Sequence, residues 1–186
     1  MDKSCHLDAT EHVCELLLSL TMVDPTGTWG AWSLLETRGQ EGSMARHGHT
    51  ATLLGGRIYC FGGRDSKKAF LDSIHVLDPG TLQWRTPRVK SSSPPPRTFH
   101  TADALENSRI VVFGGNGPCE SPCNQTETIF FNDTWLFVAE RSEWKKSSVA
   151  GKPPPPRAAH ASVILAGSHA PASKLFVIGG TDGERA

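Results

Sequence analysis

ARHGHTATLLGGRIYCFGG, residues 45–63, carries an Arg, a His three residues on, an apolar run, Gly-Gly, a second apolar run and a closing Gly-Gly. The chain writes this order three times. Arg-x-x-His recurs at Arg46/His49, Arg97/His100 and Arg157/His160, with the arginines 51 and 60 residues apart. The closing pairs are Gly62-Gly63, Gly114-Gly115 and Gly179-Gly180, and tryptophans fall at Trp32, Trp84 and Trp144. A period near 50 residues is the signature of stacked structural units. From each Trp to the next Arg the count is 14, 13 and 13 residues, whereas Gly-Gly to Trp takes 22 in one copy and 30 in the next. Fixed connections between units and elastic turns inside them imply units docked at constant separation.

Each unit reads as four strands. HTATLL and RIYCFGG are joined at Gly55-Gly56, LDSIHVLD follows, and Pro79-Gly80 leads into TLQWRT. Glycines take φ > 0 cheaply, which suits a tight primed hairpin turn. The second unit repeats this with FHTADAL, RIVVFGG, FNDTWLFVA and RSEWKKS; the third supplies HASVIL and KLFVIGG. The second strand is apolar throughout in every copy (IYCF, IVVF, LFVI), the pattern of a strand buried on both faces. A four-stranded sheet covered on both sides needs neighbouring sheets stacked on it, as in a β-propeller. Gly-Gly at the end of that strand marks a place where a Cβ would clash. The fourth-strand Trp is the apolar wedge between sheets, its burial contributing on the order of 2–3 kcal/mol.

The totals agree with an all-β chain. There are 186 residues, 18 Gly and 13 Pro, with five Trp against one Tyr. Lys+Arg and Asp+Glu are 19 each, so no charge excess points to nucleic acid or an anionic membrane. No run of 18 apolar residues exists. The candidate leader VCELLLSLTMV is interrupted by Glu15, so secretion is not expected. Five cysteines (Cys5, Cys14, Cys60, Cys119, Cys123) form no even framework, which suits a reducing cytoplasmic or nuclear compartment. The sequons at Asn124 and Asn132 then read as chance matches.

Arg-x-x-His, the apolar strand ending in Gly-Gly, the Trp 22–30 residues later and FNDTW at 131–135 together resemble the kelch repeat family, over residues 29–183. The resemblance implies a kelch-type β-propeller of the kelch-only sort, present as two complete four-stranded blades and half of a third. The repeats span about 46–84, 97–144 and 157–186. Rings in the family have more blades, so the chain is expected to be the front portion of a longer propeller. It is expected to be marginal alone and to self-associate through its open edge, because repeat units stabilise one another. Residues 1–28 form a lead. Asp8 and Glu11 resemble a capping box, and Val13, Leu16, Leu17 and Leu20 recur at helical spacing, which predicts a short helix over 9–20. VDPTGTW echoes LDPGTLQW, which makes 17–23 a third strand instead.

Function follows less directly, because propellers host unrelated activities. His49, His100 and His160 sit one per unit, too far apart to share an ion, and read as packing residues. Arg46, Arg97 and Arg157 either line a central channel, where they would meet an acidic peptide end, or tie loops to the neighbouring sheet. Cys119 and Cys123 with Cys60, His6 and His12 lack the second ligand pair that zinc sites use. Loop 116–131, with Asn116, Glu120 and Asn124, is the candidate contact surface, since long loops on rigid frames carry function. SSSPPPR (91–97) and GKPPPPR (151–157) read as stiff links sharing one rim with that loop. No catalytic motif appears. Some copper oxidases of the family cross-link Tyr to Cys, but Tyr59 and Cys60 are adjacent and point to opposite faces of a strand. The sequence therefore reads as a binding scaffold for a protein or peptide, an adaptor, ubiquitin-ligase substrate receptor or trafficking effector, with no cofactor and no enzymatic role. The alternative is the front of a catalytic propeller.

Overall fold

The computed structural model describes residues 17–22, 29–39, 45–106, 108–119, 128–165 and 173–183, and contains no helix among them. Its strands are β1 (Leu17–Met22), β2 (Trp29–Leu35), β3 (Arg46–His47), β4 (Thr50–Leu54), β5 (Arg57–Phe61), β6 (Arg64–Asp65), β7 (Ile74–Asp78) and β8 (Gln83–Arg85). They continue as β9 (Thr101–Leu105), β10 (Arg109–Phe113), β11 (Asn116–Pro118), β12 (Thr128–Phe130), β13 (Thr134–Val138), β14 (Glu143–Ser147), β15 (Ala161–Leu165) and β16 (Lys174–Ile178). Two four-stranded antiparallel sheets, β4-β5-β7-β8 and β9-β10-β13-β14, are followed by the two-stranded β15-β16. This is the expected two and a half units.

The first strands β4, β9 and β15 run side by side, so the sheets fan out from a common inner edge. Side-chain bonds across this edge join residues one repeat apart. Thr52 Oγ1 donates to Ala102 O at 2.9 Å, Thr98 Oγ1 to Gly48 O at 3.2 Å, and Ser162 to the Asp103 carboxylate. Behind the edge, Phe61, Val76, Ile110, Val112, Phe137 and Trp144 form one core spanning sheets one and two. Trp144 is the wedge, 4.7 Å from the Phe61 ring of the preceding sheet and 4.9 Å from Phe137 of its own. Trp84, the first-sheet equivalent, is only half-buried.

The connections dock at the outer edge. Trp84 N donates to Arg38 O at 2.8 Å, and one repeat later Trp144 N donates to Ser91 Oγ at 2.7 Å. Each link thus grips the fourth strand of the sheet it introduces, which explains its constant length. Gly55 and Gly56 have φ of 56° and 73°, both left-handed, as a type I′ hairpin requires.

The lead differs from the helix expected over 9–20. Leu17–Met22 is strand β1, paired antiparallel with β2 from Leu17↔Leu35 to Met22↔Trp29, with Leu20 opposite Trp32; residues 9–16 lie outside the described residues. Helical spacing is a weak local preference, and a nearby partner strand that satisfies every other backbone group overrides it. The reading of 17–23 as a strand is the one found. The hairpin also crosses the boundary drawn between 28 and 29.

Candidate functional site

The repeated Arg, His and Gly-Gly meet at the joint between consecutive sheets. Arg97 N donates to Leu71 O of unit one at 3.1 Å, and Gly63 N donates to Arg97 O at 2.8 Å. The same pair of bonds recurs at Arg157, with Phe131 O and Gly115 N. The backbone approaches so closely that a Cβ on Gly62 would lie 2.7 Å from Arg97 O, and one on Gly114 2.8 Å from Arg157 O. Only glycine fits. The histidine then crosses the joint: His100 Nε2 meets Thr50 Oγ1 at 3.0 Å, and His160 Nε2 meets Thr101 Oγ1 at 3.0 Å. Each ring also stands edge-on to the preceding sheet's second-strand Phe, Phe61 or Phe113. Burial lowers the pKa of all three repeat histidines, His100 to about 3, with Arg97 adding to the effect there. Neutral imidazole is the form this packing holds.

The arginines turn inward. Arg97 is fully buried; Nη1 donates to Gly114 O (2.9 Å) and Asp133 Oδ1 (2.8 Å), Nη2 to Asp133 Oδ2 (3.1 Å) and Nε to Pro95 O (3.2 Å). Its guanidinium also lies over the Phe131 ring at 4.3 Å. Burial raises the Asp133 carboxyl pKa, but Arg97 and the Trp135 indole N–H outweigh it and hold the group below its ordinary value. Arg46 is buried and donates to Gly62 O and Ser73 Oγ, and Arg157 donates to Gly179 O and Pro155 O. The side chains tie within a unit and not across to the neighbouring sheet: each arginine closes its own unit's Gly-Gly, and the bonds to the neighbouring sheet at Arg97 and Arg157 come from the backbone.

Asn116 sits at the root of the long loop, exchanging backbone bonds with Thr98 at 2.8 and 2.9 Å, with its side-chain Oδ1 buried without a donor among the described residues. Glu120 and Asn124 lie outside the described residues. The loop starts and ends as a ribbon, β11 with β12, in register Asn116↔Phe130. Three large apolar side chains are exposed around the loop and the links: Phe99 (47%), next to Thr98, which bridges to Asn116; Ile129 (40%) on β12; and Val149 (60%) in the link after β14. Sequence reading missed Phe99, because Phe at this position gives no sign of its backbone. Gly48, Phe99 and Ala159, each two residues after the repeat Arg, all have left-handed φ (65°, 54° and 54°). That conformation turns the Phe99 ring outward.

Among the described residues no three His, Cys, Asp or Glu side chains gather as metal ligands, and no helix is long and apolar enough to cross a membrane. Cys60 is buried on β5, its thiol pKa pushed up to about 11 by burial, and is therefore a poor nucleophile.

Sheets stapled in this way about a shared inner edge define a repeat protein of the β-propeller type. The chain belongs to the kelch-repeat family: residues 12–186 match the family model described as KLHDC2/KLHL20/DRC7 Kelch-repeats domain. It is 36% identical over 129 residues to the Rab9 effector protein with kelch motifs of Homo sapiens, covering 69% of this chain and 31% of that protein. The Xenopus laevis protein of the same name is 28% identical over 177 residues, covering 90% and 45%. Acyl-CoA-binding domain-containing protein 5 of Arabidopsis thaliana is 30% identical over 152 residues, covering 82% and 21%. The chain spans under half the length of each of these relatives.

Proposed function

We propose that this chain is a protein-binding scaffold, acting in trafficking as an effector of a small GTPase, and not an enzyme. The observation that carries this reading is that Phe99 and Ile129 stand exposed at the β11–β12 ribbon, on a stapled frame, with Val149 exposed in the following link. Exposed apolar anchors on a rigid support are what protein interfaces use, and Phe is among the residues enriched there. The kelch-motif relatives named as Rab9 effectors supply the partner class. The adaptor and ubiquitin-ligase receptor roles use the same rim, and binding tests separate them. The test is surface biolayer interferometry of the full chain against Rab9 loaded with a non-hydrolysable GTP analogue or with GDP. Preferential binding of the GTP form, weakened by Phe99→Ser and Ile129→Ser, supports the reading. Equal or absent binding to both forms rejects the effector assignment.

The third sheet adds self-association. Val163, Leu165, Phe176 and Ile178 are all exposed on the one hairpin β15–β16, and exposed apolar groups gathered on one surface mark association sites. Concentration-dependent sedimentation that Phe176→Lys abolishes supports it; a monomer at all concentrations removes it. A cytoplasmic or nuclear, non-secreted location goes with the scaffold reading, and cell fractionation tests it.

A further inference from the structure

A second concave feature lies away from the apolar rim. Between sheets one and two, beside the 55–56 and 139–142 turns, a cleft of about 470 Å³ is lined by Arg57, Tyr59, Arg85, Arg88, Glu140 and Ser142, among others. Three arginines and one glutamate are among its lining residues. Arg57 shares its charge with Asp78 at 3.9 Å, a loose and solvent-exposed pair. Arg85 and Arg88 are exposed, and their side chains make no ion pair or hydrogen bond with another described residue. Tyr59 is a buried lining residue, with its ring 6.0 Å from Phe137. The connection after β8 fixes the spacing of the two free arginines: Arg85 ends the strand opposite Val76, and Arg88 follows three residues on, across Pro87. Proline restricts the backbone between them, so less entropy is lost when both engage one ligand.

We propose that this cleft binds an acidic peptide segment, whose carboxylates pair with the Arg85 and Arg88 forks while the backbone lies along the Tyr59 wall. Guanidinium is the cation whose planar fork matches carboxylate. A concave wall of low dielectric strengthens such pairs over those on open surface. Glu140 on the opposite lip sets direction: it repels the ligand's acidic groups from that side and steers them toward the arginines. The site goes beyond the scaffold reading and shares no residue with the rim, so either can fail alone.

The experiment is fluorescence anisotropy of the full chain with a fluorescein-labelled hexaglutamate peptide at about 50 mM salt, where exposed charges act over a longer range. Saturable binding that weakens roughly tenfold in the double variant Arg85→Ala/Arg88→Ala is expected, the size of two exposed pairs lost together. Arg141→Ala, an exposed charge of the same turn outside the cleft, should leave affinity unchanged. Glu140→Gln should tighten binding. Equal loss in Arg141→Ala, or no loss in the double variant, overturns the site. Displacement of the peptide by millimolar inorganic phosphate alone also overturns it, because the cleft would then hold a free oxyanion and not a peptide.

Discussion

β10 and β16 occupy the same position in consecutive units, and their sequences, RIVVF and KLFVI, follow one pattern. β10 is buried from Ile110 to Phe113, whereas β16 alternates between exposed and half-buried, with Ile178 63% exposed. The difference comes from neighbours. β10 has β9 and β13 on its two edges and the core of sheet one on its face; among the described residues β16 pairs with β15 alone. The glycines repeat the contrast: a Cβ on Gly114 would strike Arg157 O, while one on Gly179 would meet nothing within 4 Å. A propeller unit is thus apolar by its own composition and buried only by the next unit.

Substitution pairs sharpen that comparison. In urea unfolding, Phe137→Ala should cost about 3–5 kcal/mol, since it empties the joint core; Phe176→Ala, 43% exposed, should cost under about 1 kcal/mol. Similar losses for the two would mean that the third sheet is covered in solution.

Removing Arg97 leaves the Asp133 carboxylate without its counter-charge, with only the Trp135 indole N–H still donating to it, and Arg97→Ala should lose about 3–5 kcal/mol. Arg157→Ala, whose bonds are exposed, should lose about 0–1 kcal/mol by the same measurement.

For the glycines, Gly179→Ala should bear only the left-handed backbone cost of about 1–2 kcal/mol. Gly114→Ala adds a backbone collision and should exceed it clearly. Equal melting temperatures would show that the joint yields.

pH probes the same joint. Folded His100 titrates near 3 and His75 near 4, both held down mainly by burial, whereas the unfolded chain protonates them from about pH 6.5 downward. Their contribution is therefore complete above pH 6.5 and declines as the pH falls toward 4. For His100 this amounts to as much as about 2 kcal/mol between pH 6.5 and 5. His100→Gln should flatten the acid limb of stability against pH. The smallest effect is at Ala159, whose left-handed φ of 54° makes Ala159→Gly stabilising by up to about 1 kcal/mol in the same assay.

Much of this was legible in residue order. The spacing of Arg46, Arg97 and Arg157, the Gly-Gly pairs and Trp144 placed strands, turns and the wedge, because each must recur wherever one sheet docks on the next. The cleft was not legible, since Arg57, Arg85 and Glu140 lie far apart along the chain and no local pattern pairs them. Nor was Phe99, whose outward ring depends on a left-handed backbone that Gly48 alone would have suggested. The lead misled for a related reason: the leucines at helical spacing also suit a strand, and the partner at 29–35 decided between them.

Repeat period, all-β class and the apolar character of each second strand follow from the amino-acid order alone, since they are properties of single units. Whether an arginine is a tie or a ligand, whether a glycine is indispensable, and which apolar strand meets water are settled only by the fold. Each depends on what the adjacent unit places within a few ångströms, and that distance is written nowhere in the chain's local sequence.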